Sequence, residues 1–191
     1  STLMKIINGI YQPDSGIIKY EGKTISITNS SIAKNYGIGM VFQEQSVLSN
    51  MTVSENIFFG TEKDFSNVGF VSWKTINRKA NEILEEIEVK IKPERLIGEL
   101  SFIERQMIEI ARNIWLAKRS SSTTPLIILD EPTTILEKND IDLLLDRLMI
   151  LKKKVSIIYI SHRLDEVETI CDRVYVLKDG TNVGCFGHED I

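Results

Sequence analysis

With 191 residues, 42% hydrophobic and 26% charged, the chain carries enough apolar material for one sizeable core, or a core plus a small subdomain, and reads as globular. A net charge of −4 gives no electrostatic footprint for DNA or RNA, and Cys171 and Cys185, the only cysteines, have no paired metal-ligand spacing, so neither a disulfide framework nor a zinc site is indicated. No apolar run approaches about 18 residues and no signal peptide is visible, so any membrane role is expected to pass through a partner.

Leu3, Ile6, Ile7 and Ile10 recur at helical spacing and Asn8-Gly9 supplies a stop, so a short helix is expected essentially from the first residue. Its first N–H groups need a cap or an anionic ligand, and none is evident. "QPDSG" reads as a turn and "IIKYEGKTISI" as an antiparallel hairpin around Glu21-Gly22. A short helix from Ser30 to Tyr36 follows, then a buried strand, "IGMVFQ", from Ile38 to Gln43. From Thr52 the pattern turns helical. "TVSE" is a capping box, and "SWKTINRKANEILEEIEV" sets Trp73, Ile76, Ala80, Ile83, Leu84 and Ile87 on one face. "LSFIERQMIEIARNIWLA", starting from Ser101, aligns Ile103, Met107, Ile110 and Ile114.

After the loop "KRSSSTTP" come an apolar strand in "LIILDEPTT", a helix from Glu137 to Lys153, the strand "VSIIYI", a helix from Arg163 to Cys171 and the strand "RVYVL". "KDGTNVGCF" closes with a hairpin turn and an edge strand. Apolar strands alternating with helices predict an α/β protein with a parallel sheet covered on both faces. The expected core spans residues 1–45 and 121–191, split by a helical subdomain at 46–120.

In open parallel sheets ligands bind beyond the C-terminal strand ends. Three such ends are polar here: Gln43, then Asp130-Glu131, then Ser161-His162. Singly, each has a structural reading, Gln43 as a surface turn residue, Asp130 as a helix cap, His162 as an edge histidine. Jointly, on one rim, they suggest phosphoryl chemistry. An Asp at a rigid strand tip can bind Mg²⁺ or its waters, and an adjacent Glu can orient an attacking water. Pro132 then turns the chain out of the sheet.

The ordered segments resemble those of ABC ATPases. "LIILDEPTT" is similar to their Walker B segment, "MVFQEQSVLSNMTVSENI" to the Q-loop region, "YISHRLDEV" to the histidine switch and "CDRVYVLKDG" to the stretch after it, in order from about residue 1 to 187. "STLMKIINGIYQPDSG" resembles the segment directly after the Walker A Gly-Lys, so the glycine-rich loop and its strand are expected to belong ahead of Ser1. The resemblance implies a P-loop NTPase-type parallel core with a short antiparallel part and an inserted helical subdomain. It implies ATP and Mg²⁺ as ligands. Ser1 and Asp130 become Mg²⁺ ligands, Thr2 a phosphate contact, Gln43 a metal and water sensor coupled to a membrane partner, Glu131 the catalytic base and His162 the γ-phosphate sensor. A serine at the terminus is expected to be poorly held.

Departures from the family pattern narrow the resemblance. The family signature L-S-G-G-Q covers the nucleotide of the other subunit in a head-to-tail dimer. Here, in "LSFIERQ", Leu100, Ser101 and Gln106 match while Phe102, Ile103 and Glu104 do not. Ser101 with Glu104 also reads as a capping box. Glu104 adds negative charge near a polyphosphate, so signature function is discounted. "QMIEIAR" and "TVSENIFFG" are similar to the ATPases of ribose-, galactose- and xylose-type importers, whose two halves are fused in one chain, and this sequence resembles the first half. Glu137 stands where most of the family has the D-loop aspartate. The resemblance implies an ATPase on the cytoplasmic face of the membrane, paired with a second ATPase half, an integral permease and an extracellular sugar-binding protein. Nucleic acid is not an expected partner. The alternatives are a degenerate, non-hydrolysing half serving as a dimer partner, and an ABC ATPase of nucleic-acid repair or of the ribosome. The 191 residues alone are expected to bind little nucleotide, and an unpaired sheet edge is expected to promote self-association.

Overall fold

The computed structural model describes residues 1–42, 45–67, 70–120, 122 and 124–190. Gln43 therefore lies outside the described residues. A short helix α1 (Thr2–Ile7) leads into a hairpin of β1 (Ile18–Tyr20) and β2 (Lys23–Ile25), followed by α2 (Ser30–Asn35) and β3 (Ile38–Val41). Helix α3 (Val53–Phe58), a two-residue hairpin of β4 (Ser66–Asn67) and β5 (Phe70–Val71), α4 (Trp73–Glu86) and α5 (Phe102–Lys118) make up the middle of the chain. Then β6 (Leu126–Asp130), α6 (Lys138–Leu151), β7 (Ser156–Ile160), α7 (Leu164–Ile170), β8 (Arg173–Lys178) and β9 (Thr181–Gly187) alternate to the end.

The centre is a parallel sheet in the order β3-β6-β7, with Ile38 opposite Leu126 and Asp130 opposite Ile160. Every residue of β3 is buried, as is every residue of β6 after Leu126, which is why neither strand alternates with polar residues. Period-two geometry sorts their side chains between two layers. Met40 and Ile128 pack with Met4, Ile27 and Ala33 on one face. Val41, Ile127 and Leu129 pack on the other with α3, α4, α5 and α6. The helices of the middle segment thus share one continuous apolar cluster with the sheet.

Local signals set the element ends. Thr52 and Ser101 each make both halves of a capping box, with Glu55 and Glu104 respectively. The β1–β2 hairpin turns through Glu21 and Gly22, and the β8–β9 hairpin through Asp179 and Gly180, each pair having positive φ, as two-residue hairpin loops require.

Two sequence expectations need correction. Strand β8 does not extend the parallel sheet: among the described residues it pairs only with β9. The two-residue turn makes β9 its nearest partner at little loop-closure cost, and Tyr175, Val176 and Leu177 stay exposed. Trp73 leaves the packed face of α4, because the first residue of the helix lies beyond the edge of the contact, while Ile76, Ala80, Ile83 and Leu84 are buried as the periodicity requires. The strands of the β4–β5 pair, two residues each, are too short to show a period-two pattern in the sequence.

Candidate functional site

Asp130, the last residue of β6, is buried, and its Oδ1 accepts a hydrogen bond from Ser1 Oγ at 3.1 Å. The two groups lie 129 residues apart in sequence, so the sheet carries the carboxylate to the start of α1. Ser1 makes no side-chain cap bond to its own helix, which leaves its hydroxyl free for this contact. Ser1, expected to be poorly held, is exposed and makes this one side-chain hydrogen bond among the described residues.

Glu131 leaves the sheet in the left-handed region, with φ of +48°, while its N–H donates to the Ile160 carbonyl at 3.0 Å. A non-glycine residue there costs on the order of 1–3 kcal/mol, and such strain gathers at functional sites. The conformation turns the Glu131 carboxylate toward the exit of β7, where its Oε1 lies 3.6 Å from His162 Nδ1. Thr134 Oγ1 donates to the Glu131 carbonyl at 3.0 Å and to its Oε2 at 3.4 Å. His162 is well exposed, on the turn between β7 and α7. Ser1, Asp130, Glu131 and His162 therefore meet at the C-terminal rim of β6 and β7.

The other residues singled out from sequence fall elsewhere. Thr2 is the exposed first residue of α1. Ser101 caps α5: its Oγ accepts from Glu104 N–H at 3.3 Å, and Glu104 Oε2 accepts from Ser101 N–H at 2.7 Å. Arg95 Nη1 stands 3.7 Å from the same carboxylate, so Glu104 is partly neutralised. Gln106 faces inward and is buried, its Nε2 donating to the Pro132 carbonyl at 3.0 Å. It braces α5 against the turn that follows Glu131.

Two further carboxylates, Glu109 and Glu166, are buried. Glu109, on α5, is buried, and its Oε1 accepts from the N–H of Ser46 at 3.2 Å and from its hydroxyl. Burial pushes its carboxyl above the usual range, against the lowering effect of the Ser46 bonds. Glu166, in the first turn of α7, accepts from Thr133, Tyr159 and Ser161. Burial and that carboxylate together push the Tyr159 phenol up. Glu166 stands with Val167 and Ile170 on the helical face that packs inward.

A polar rim at the strand ends of a parallel sheet, beside the start of a helix, is the ligand-binding arrangement of an open α/β protein. Residues 1–134 match the model of the ABC transporter family, and the chain belongs to that family. It is 42% identical over 192 residues to a ribose import ATP-binding protein RbsA of Clostridium perfringens, covering 100% of this chain and 37% of that protein. It is also 42% identical over 185 residues to a putative ribose/galactose/methyl galactoside import ATP-binding protein of Geobacillus kaustophilus, covering 96% of this chain and 36% of that one. The chain thus spans just over a third of the length of these relatives. Among solved structures it is similar to an ATP-binding cassette of an ABC transporter in its ADP conformation, with a TM-score of 0.80 and 27% identity over 99% of this chain and 76% of that one. A nucleotide-free cassette aligns with a TM-score of 0.79 at 27% identity over 99% of this chain and 76% of that one.

Proposed function

We propose that the chain forms part of an ATP-hydrolysing subunit that powers import of a simple sugar. The observation that carries this reading is the convergence of Ser1, Asp130, Glu131 and His162 on one rim, in a chain whose relatives are named for ribose import.

The residues fit Mg²⁺-ATP. A hydroxyl and a carboxylate oxygen 3.1 Å apart are hard donors, and Mg²⁺ is commonly held by one or two protein oxygens with phosphates and waters completing the shell. Bound there by Ser1 and Asp130, Mg²⁺ would neutralise charge on the transferring phosphoryl group. Glu131 accepts the proton of the attacking water. His162, exposed and 3.6 Å from Glu131, donates to the γ-phosphate and reports its presence. Thr2 contacts phosphate, and Gln43 senses metal and water.

Residues 46–120 are the segment that docks on an integral permease, and no helix among the described residues is long and apolar enough to cross a membrane itself. A second ATPase half completes a head-to-tail dimer, to which Ser101 contributes with Glu104 weakening the contact, while Gln106, expected from the signature resemblance to contribute as well, is buried and tied to the Pro132 carbonyl. The assembly sits on the cytoplasmic face of the membrane and receives sugar from an extracellular binding protein.

The test fuses a glycine-rich loop ending in Gly-Lys ahead of Ser1 and measures phosphate release from Mg²⁺-ATP. Loss of a positioned general base costs roughly 10²–10⁴-fold, so Glu131→Gln is expected to cut turnover by that factor while nucleotide affinity holds. Equal rates for the two proteins would overturn the assignment of the base.

A further inference from the structure

The function proposed above uses Glu131 and His162 but says nothing of what sets the distance between them. They stand on separate turns, one after β6 and one after β7, and His162 is exposed, with Glu131 its only ion-pair partner among the described residues, at 3.6 Å. Its placement depends on the backbone of residues 161–163. Glu166 holds that backbone. It is 1% exposed, and a single oxygen, Oε2, accepts from Ser161 Oγ at 2.8 Å, Tyr159 Oη at 2.7 Å and Thr133 Oγ1 at 2.9 Å. Ser161 Oγ in turn accepts the N–H of Arg163 at 3.0 Å. The second oxygen, Oε1, has Arg163 Nε at 3.2 Å, an ion pair that lacks hydrogen-bond alignment.

The partners are the informative part. Ser161 and Arg163 are the two neighbours of His162 in sequence, and Thr133 is two residues after Glu131. One buried carboxylate therefore grips the chain on both sides of the histidine and, through Thr133, the turn that carries the glutamate. We propose that Glu166 is a positioning residue that fixes the separation of Glu131 and His162 by tying the exits of β6 and β7 together. The proposal rests on the site reading above. A buried carboxylate with several charge-assisted bonds is stiff, and a stiff link between two turns presents their side chains in one geometry.

The chain contains two histidines, His162 and His188, and His188 begins the short helical turn His188–Asp190 at the other end of the β8–β9 hairpin. Ring carbon–proton correlation spectra of histidine-labelled protein therefore give one reporter and one internal control. Thr133→Val removes a hydroxyl on the far turn, without touching the histidine segment. It is expected to shift or split the His162 ring signal and leave that of His188 in place. Glu166→Gln, which leaves one neutral acceptor oxygen for the three hydroxyls, is expected to do the same, and Thr133→Val added to Glu166→Gln is expected to move the His162 signal by less than Thr133→Val alone, since the route is already weakened. If Glu166→Gln does not fold, Tyr159→Phe with Thr133→Val supplies the pair of single-bond deletions, and each is expected to shift the His162 signal. A His162 signal that stays put in every folded variant while the melting temperature falls would overturn the proposal, leaving Glu166 a stabilising knot alone. Independent, additive shifts in the Glu166→Gln pair would overturn it equally. The spectra need no nucleotide, so their failure is distinct from a failure of the ATP-hydrolysis reading.

Discussion

Phe58 is the residue on which the middle segment should stand or fall. It is fully buried at the end of α3, its ring centroid is 4.6 Å from that of Phe65, and it meets Trp115 edge-on at 5.0 Å. Trp115 comes from α5 and is itself fixed by donating Nε1–H to Thr61 Oγ1 at 2.9 Å, so the trio joins α3, its following turn and α5. Phe58→Ala removes a whole buried ring, which costs about 3–5 kcal/mol in well-packed cores. Phe58→Leu retains apolar volume and forfeits chiefly the two ring pairs, worth about 0.5–1.5 kcal/mol each, hence ~1–3 kcal/mol. For a chain of this size each kcal/mol lowers the melting temperature by about 2–4 °C, so Phe58→Ala should lower it by ~6–20 °C. Urea unfolding followed by tryptophan fluorescence and by far-ultraviolet circular dichroism measures both losses, with Trp115 inside the cluster and Trp73 largely exposed. A cost under about 1 kcal/mol for Phe58→Ala would refute the view that the trio cements these helices, because a site able to collapse that completely is not tightly packed.

Glu109 gives a pH dependence. Its folded carboxyl is held above the ordinary value by burial, so as pH rises through the usual carboxylate range the unfolded chain releases a proton that the folded chain keeps. Stability is therefore lost with rising pH until the folded group also ionises, and Glu109→Gln should flatten that part of the profile in urea titrations from acid to neutral pH. Equal slopes for the two proteins would count against a raised Glu109. Ser101→Ala removes the acceptor for Glu104 N–H at the start of α5 and is expected to cost about 1 kcal/mol by thermal melting. No change would mean that Arg105 and the remaining N-terminal contacts hold the helix without the cap.

Elements with strong local signals were the legible part of the fold. The capping boxes at Thr52 and Ser101 start their helices where the sequence places them, since reciprocal Ser/Thr and Glu bonds depend only on residues three apart. The apolar runs of β3 and β6 pair as a parallel sheet, and the turns at Glu21-Gly22 and Asp179-Gly180 form. What the sequence conceals is which strands become neighbours. β8 pairs with β9 across the legible Asp179-Gly180 turn, but whether its other edge joins the parallel sheet is a matter of topology that its apolar composition does not encode. Trp73 fails for a related reason, because a helical pattern says which residues share a face but not how far along the helix the partner surface extends.

The site divides in the same way. Asp130, Glu131 and His162 could be picked out because a charged or polar residue at the end of an apolar strand interrupts a pattern. Buried carboxylates inside an amphipathic helix do not interrupt anything visible: Glu109 lies between Ile108 and Ile110, and Glu166 sits in an acidic first turn that reads as ordinary N-terminal charge. They become identifiable only when tertiary structure brings hydroxyl donors to them, Ser46 from 63 residues away and Thr133 from 33. Burying a carboxylate is costly unless such partners meet it. The sequence thus exposes the polar groups at the strand-end rim, while buried carboxylates are concealed in proportion to how completely the fold satisfies them.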